Sequence, residues 1–367
     1  MLVSLCVIAY NEEKVLNGLF RNIADQNYPH EKIEVVLVDS NSTDNTMSMM
    51  QDFKSTDYGF KDVIITSSDK GSQAASWNAA LCKATGDVII RIDAHASIPR
   101  NFISRCIYNM EEFGETIVGG GRPNIVDNET SWKLTLLAAE ESLFGSSIAN
   151  YRRPTGKQEY HDSLFHAAYK REVFEKVGGF NEALGRTEDN ELHYRIREAG
   201  YKMCSFPDII SFQHTRSTLR HMIKQKYGNG YWIGLTTGVC PGCLSYFHFV
   251  PFVFLIMLLI FSVFAVLGYI YPLLYTGLAY LMFDFVNTVV CFLTRKIKPQ
   301  FLLLPFLFPV LHIAYGFGTL CGLIKMPFWR KKLGKRPFER IDEVKEAVIN
   351  NNRHFCIRNR VFIPIDQ

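Results

Sequence analysis

Gly86-Asp87-Val88-Ile89-Ile90-Arg91-Ile92-Asp93-Ala94-His95 is the stretch on which the reading of this chain turns. Asp87 to Ile92 is a short run rich in β-branched residues, fit for a strand buried on both faces. It ends in a carboxylate and an imidazole two residues apart, which project to the same side of a strand end. Both Asp93 and His95 can reach a divalent cation, Mg²⁺ or Mn²⁺, and the imidazole leans the choice toward Mn²⁺. Such an ion bridges two phosphates and neutralises a departing diphosphate. By itself an Asp-x-His tripeptide is common, and a capping Asp beside a surface His is its structural alternative.

Outward from this strand the pattern repeats. Leu2 to Ala9 and Ile33 to Val38 are continuous apolar runs, and Val63 to Thr66 is a third short one. Between them, Glu12 to Ile23 places Val15, Leu16, Leu19, Phe20 and Ile23 at helical spacing. Asp44 to Phe53 reads as a helix capped by Thr43 or Asp44, and Ser72 to Lys83 as another. The order βαβαβαβ predicts an α/β fold with a mostly parallel sheet flanked by helices and right-handed crossovers. Ligands of such sheets sit beyond the carboxyl ends of the strands. Polar clusters fall at those ends: Tyr10-Asn11-Glu12, Asp39-Ser40-Asn41 and Asp93-Ala94-His95. Asp39 can accept from a base N–H or a ribose hydroxyl; otherwise it is a turn-forming Asp. Further on, Gly119-Gly120-Gly121 is expected to follow a strand, and a helix is expected near Trp132 to Gly145. Glu188 to Glu198 reads as a helix ending at Gly200. Thr187-Glu188-Asp189 at its start is favoured by the helix dipole. A carboxylate there can also act as a general base, taking the proton of an attacking hydroxyl.

The chain has 367 residues and a formal net charge of +4. That balance gives no sign of nucleic acid as a partner. From Leu244 to Ile324 charge almost disappears. Phe247 to Tyr269 and Leu273 to Leu293 are long enough to span a bilayer as a hairpin. Phe301 to Ile324 is a third apolar stretch, broken by Pro305, Pro309 and His312. Arg295, Lys296 and Lys298 precede it, and Lys325, Arg330, Lys331, Lys332, Lys335 and Arg336 follow it. Positive charge on both flanks puts both on the cytosolic side, which a simple third span cannot satisfy. Either the segment is re-entrant or interfacial, helped by its prolines, or it spans and the tail is exported despite its charge; the re-entrant form is favoured. Residues 216–228 read as an amphipathic helix suited to an anionic membrane surface. The organisation expected is a catalytic domain over 1–240, a membrane domain over 241–325 with two or three hydrophobic segments, and a basic cytosolic tail over 326–367. The nine cysteines are scattered and read as reduced thiols, Cys240 and Cys243 as small residues of a turn. Met1 to Tyr10 lacks the basic leader and cleavage site of a signal peptide.

Taken together, Val7-Ile8-Ala9-Tyr10-Asn11-Glu12-Glu13, the Val38 to Thr46 segment, Asp93-Ala94-His95, Val177-Gly178-Gly179-Phe180-Asn181-Glu182 and Thr187-Glu188-Asp189 resemble glycosyltransferase family 2, in that family's order. Within it, the Asp-Ala-His form most resembles bacterial exopolysaccharide enzymes of the succinoglycan-biosynthesis type. The resemblance covers residues 1–235. It implies the glycosyltransferase A fold and inversion at the anomeric carbon. It assigns Ala9, Glu12 and Asp39 to the nucleotide, Asp93 to ribose or metal, His95 to metal, and Asp189 to the base with Glu188 beside it. The third metal-motif position is usually Asp in the family; polypeptide N-acetylgalactosaminyltransferases also carry Asp-x-His and use Mn²⁺. The Gln-x-x-Arg-Trp motif of processive members is not matched by Gln225-Lys226-Tyr227-Gly228-Asn229-Gly230-Tyr231-Trp232. His161 and His166 flank the expected acceptor region and read as structural.

The expected protein is a multi-pass cell-membrane enzyme of bacterial type, its catalytic domain facing the cytoplasm. It takes a sugar from a nucleotide-sugar, a UDP-sugar by the resemblance, and adds it to a lipid-linked or saccharide acceptor at the membrane lipids. The two rival readings are a processive polysaccharide synthase and a non-catalytic membrane scaffold that keeps the transferase fold.

Overall fold

A computed structural model describes residues 1–68, 72–145, 156–214, 218–295, 299–334 and 336–351. The chain forms two units. The first holds Met1–Pro123, Arg153–Gln213 and the segment from Leu333 onward; the second holds Asn124–Arg152 and His214–Lys332.

In the first unit, β1 (Val3–Ala9), α1 (Leu16–Ala24), β2 (Ile33–Asp39), α2 (Thr46–Ser55), β3 (Asp62–Ser67), α3 (Gln73–Lys83) and β4 (Val88–Asp93) follow the expected alternation. β1 pairs in parallel with both β2 and β4, and β2 with β3. All seven residues of β1 and of β2 are buried, which is why these strands are apolar throughout rather than alternating. Their polar members have partners: the Ser4 hydroxyl donates to Glu34 Oε1 at 2.7 Å, and Glu34 also accepts from Thr85.

The chain continues through β5 (Ala96–Ser97), α4 (Phe102–Glu112) and β6 (Ile117–Gly121); the short β7 (Asn124–Ile125) and α5 (Ser131–Glu141) belong to the second unit. β8 (Glu159–His161), β9 (Ala168–Lys170), α6 (Arg171–Val177), α7 (Glu188–Glu198), β10 (Met203–Ile210) and β11 (Phe212–His214) follow. The strand order is β3-β2-β1-β4-β9-β6-β10-β8. β9 is antiparallel to β4 and β6, β8 is antiparallel to β10, and the other pairs are parallel. The small β5 pairs with β11 through Ala96 and Gln213.

Several boundaries moved for identifiable reasons. α1 begins at Leu16, because Glu12 to Val15 form a turn in which the Thr46 hydroxyl accepts from the Glu12 N–H at 2.9 Å. α2 begins at Thr46; Asp44 accepts from the Thr46 N–H and hydroxyl instead of sitting at the cap position. The glycine triplet lies within β6 rather than after a strand. A Cβ on Gly120 would stand 1.7 Å from the Ile209 carbonyl oxygen, so the backbones of β6 and β10 approach only because no side chain intervenes. α7 matches its expected bounds, with Gly200 at φ +89° just beyond its end.

The second unit contains α5, α8 (Leu219–Thr236), α9 (Val250–Val266), α10 (Tyr271–Thr294) and α11 (Leu304–Leu333). Leu136, Ala139, Met222, Cys291, Phe301 and Phe308 share one apolar core within it. Among the described residues three helical stretches, Tyr246–Val266, Tyr271–Thr294 and Pro299–Leu333, are long and apolar enough to cross a membrane. α8 begins after Thr218, whose hydroxyl caps it; Arg216, placed in this helix by its sequence, lies outside the described residues. The tail is more structured than its charge suggested. α12 (Arg336–Ile349) packs on α3 and α6 of the first unit and buries Ile341, Val344, Ala347 and Val348.

Among the described residues Cys6, Cys106, Cys204, Cys291 and Cys321 are free thiols, and Cys240 and Cys243 lie at a 3-10 turn as expected. Cys82 is disulfide-bonded, which corrects the all-reduced expectation for that residue; sequence spacing does not tell which thiols a fold brings together.

Candidate active site

The expected residues gather at the carboxyl ends of β1, β2 and β4 and at the start of α7. Ala9 closes β1, buried, and its carbonyl accepts from the Ser40 N–H at 2.8 Å. Asp39 closes β2, and its carboxylate accepts from the Ser42 N–H at 3.2 Å. The loop between them is fixed by two asparagines in the left-handed region, Asn11 at φ +54° and Asn41 at φ +66°. Asn11 Oδ1 also accepts from the Thr43 N–H at 2.8 Å. Asx side chains tolerate this conformation because they bond locally to the backbone.

Glu12 lies beside the metal motif: its Oε1 is 3.3 Å from His95 Nδ1. The other ring nitrogen of His95 is 3.0 Å from Gln213 Nε2. His95 and Glu12 both keep about a third of their side chains accessible, at 31% and 27%. Asp93, by contrast, is buried. Its Oδ2 is 3.5 Å from His166 Nε2, and its Oδ1 has no hydrogen-bond partner.

Burial alone would raise the Asp93 carboxyl. Its contact with His166 and the charges of Arg91 and His95 outweigh that and hold it well below the usual carboxylate range. At the start of α7 the balance reverses. Glu188 is buried with Oε2 unpartnered. Desolvation, then the charge of Asp189, push it up to about 8. Asp189 is also raised by burial, and Arg91 opposes that rise. Both carboxyls at the start of α7 are thus raised, the opposite of Asp93.

Arg91 is a residue whose role the sequence reading did not recognise. Its guanidinium lies 4.6 Å from the Trp77 ring centroid and 5.5 Å from that of Phe180, with Nε and Nη2 unpartnered. It acts electrostatically on Asp93, Glu188 and Asp189 together. The signal was present: an arginine inside an otherwise apolar strand is costly unless something nearby uses its charge. His166 reads differently as well. It is fully buried at φ +48°, its Nδ1 is 2.9 Å from Ser211 Oγ, and its other nitrogen faces Asp93. His161 lies in β8, paired with Met203, outside this group. His193 is buried neutral between Ser163 Oγ and the Tyr169 hydroxyl.

The profile described as glycosyl transferase family 2 matches residues 4–178. Just under half of the chain thus matches glycosyl transferase family 2. It is similar to a dolichyl N-acetyl-alpha-D-glucosaminyl phosphate 3-beta-D-2,3-diacetamido-2,3-dideoxy-beta-D-glucuronosyltransferase of Methanococcus voltae, 25% identical over 88% of this chain and 97% of that one. It is similar to the succinoglycan biosynthesis protein ExoA of Rhizobium meliloti, 28% identical over 62% and 68%. It is also similar to an undecaprenyl-phosphate 4-deoxy-4-formamido-L-arabinose transferase of Proteus mirabilis, 28% identical over 58% and 65%. The chain thus carries its motif residues on the strand ends where the α/β arrangement puts ligands.

The fit of a divalent ion can be judged from the donor atoms. Among the described residues no cluster of three or more His, Cys, Asp or Glu side chains could enclose one. Asp93 nevertheless offers a buried carboxylate oxygen with no partner, and His95 a part-exposed imidazole two residues on. Two protein ligands suit an ion that completes its shell with substrate phosphates and water.

Proposed function

We propose that this glycosyltransferase moves one sugar from a nucleotide-sugar, a UDP-sugar in the first instance, to a lipid-linked acceptor, with inversion at the anomeric carbon. The observation that carries the reading is the opposed treatment of carboxyls around one buried arginine. Asp93 is held well below the usual carboxylate range, whereas Glu188 and Asp189 are both raised. Pairs of acids driven apart in this way mark separate roles.

In this reading Ala9, Glu12 and Asp39 line the nucleotide side, and Asp39 accepts from the base or ribose. Asp93 and His95 would hold a Mn²⁺ or Mg²⁺ ion, which when bound supplies positive charge to the departing diphosphate. Asp189 takes the proton of the acceptor hydroxyl as that oxygen bonds to the anomeric carbon. The bond from that carbon to the diphosphate oxygen breaks, and its electron pair leaves with the nucleoside diphosphate. Protonated Glu188 adds no second negative charge beside the base, and its O–H can donate to the acceptor.

The lipid-linked acceptor is supported by the apolar helices and by two relatives whose names specify dolichyl and undecaprenyl phosphates. The succinoglycan relative supports exopolysaccharide assembly as the setting of the same reaction. The test is a radiolabelled-donor assay with membranes holding the full chain. Addition of one sugar to extractable lipid supports the proposal; a long polymer or no transfer overturns it. A thermal-shift screen of UDP-, GDP- and dTDP-sugars with Mn²⁺ then identifies the donor.

A further inference from the structure

Three helical stretches are apolar enough to cross a bilayer, and chain parity limits how many do. α12 is part of the first unit: the Gly179 N–H donates to the Ile341 carbonyl at 3.1 Å, and Arg340 pairs with Glu182 at 3.1 Å. None of the three candidate spans lies in the described part of that unit before residue 214. A water-exposed α/β unit occupies one side of a membrane. The chain leaves it after Gln213 and rejoins it at Leu333, so it must cross an even number of times between. Three crossings are excluded.

The structure also distinguishes the helix that stays behind. α9 and α10 are packed together and joined by Leu267–Ile270, with Gly268 at φ +94° making the reversal. α11 is held otherwise. Its Gly318 and Gly322 lie so close to α8 that a Cβ on either would stand 2.1 Å from the Tyr227 or Tyr231 carbonyl oxygen. Gly230 of α8 returns the contact against Tyr315. Gly316, near the midpoint of α11, packs on Pro251 in the first turn of α9. A third span running beside α9 would bring midpoint to midpoint. Away from these contacts, Phe306, Val310, Ile313, Phe317, Ile324 and Phe328 are exposed at helical spacing. Basic residues stand at both flanks, and α8 exposes Arg220 and Lys224.

We infer that α9 and α10 are the two crossings, and that α11, paired with α8, lies along the boundary between headgroups and acyl chains of the leaflet on the catalytic side. The occupant of its exposed apolar stripe is the acyl-chain layer of that leaflet, and the flanking lysines and arginines meet anionic headgroups. This inference is independent of the reaction assigned above.

The test uses the full chain in membranes. Fluorescent-protein fusions at the two termini should report the same side, while an impermeant label should reach Tyr269→Cys from the opposite side. Nitroxide depth measurements in anionic vesicles at Phe306→Cys, Phe317→Cys and Phe328→Cys should give one shallow, constant depth, against a deep maximum for Leu259→Cys in α9. Termini on opposite sides, a Tyr269 label on the catalytic side, or a profile at α11 that passes through the bilayer centre would each overturn the inference. All three readouts stand whether or not the protein transfers sugar.

Discussion

The end of β4 and the start of α7 both present a buried carboxyl, and the two are treated in opposite ways. Asp93 has His166 at 3.5 Å and is held ionised. Glu188 has an unpartnered Oε2 and the negative charge of Asp189 next to it, and is pushed up to about 8. The contrast teaches that burial alone does not set the state of an acid; the charge that faces it does. One arginine, Arg91, acts on both regions: it lowers Asp93 and opposes the rise of both Glu188 and Asp189.

The largest effect should come from breaking the β4 end. EDTA should abolish transfer, and Mn²⁺ should restore it. His95→Ala should lose most activity, whereas His95→Asp should keep activity with its preference moved from Mn²⁺ toward Mg²⁺, since a carboxylate suits the harder ion. Metal titrations of initial rate measure this. Full activity in chelator would remove the metal from the reading, and wild-type behaviour of His95→Ala would make that residue a bystander.

Next comes the α7 side. Asp189→Asn keeps the shape and removes the basicity, so turnover should fall about a hundredfold or more, the usual size of a general base. Donor affinity by calorimetry should be nearly unchanged. Poor donor binding with normal turnover at saturation would mean the base is elsewhere.

Asp39→Ala should show the reverse pattern: donor binding about tenfold weaker, as for one lost hydrogen bond to a charged group, with turnover at saturation largely kept. Equal losses of affinity and turnover would place Asp39 nearer the reacting atoms than the nucleotide.

Glu188→Gln should be the mildest on rate, within about tenfold at pH 7, because the amide resembles the neutral acid. It sharpens the comparison through stability. The folded-state value of Glu188 lies above its ordinary 4.5, at about 8, so between those values the folded state holds the extra proton. Its contribution to stability is present at low pH and is lost as pH rises through that window. Thermal melts of wild type and Glu188→Gln from pH 5 to 8 should therefore converge at the low end and separate at the high end, with the variant losing less. Parallel curves would mean that Glu188 is ionised throughout.

Sequence alone determined the α/β alternation, the bounds of α7 and the apolar helices, because each is written in a local period: continuous apolar runs for covered strands, helical spacing, a glycine past a helix end. It also picked out Asp39, Asp93, His95, Glu188 and Asp189 as candidate site residues from their places at element ends. Other features depended on contacts between distant parts of the chain. Arg91 could be seen as an odd residue in an apolar strand, but not as the charge shared by three carboxyls. His166 was read as structural from its sequence, and only the fold shows that it faces Asp93. The basic tail gave no sign that α12 would pack on α3 and α6. Only the tertiary structure decided which acid is lowered, which are raised, and which helix leads the chain back to its starting unit. Desolvation and charge act through space, and membrane parity depends on where a chain returns, so neither is carried by any local stretch of residues.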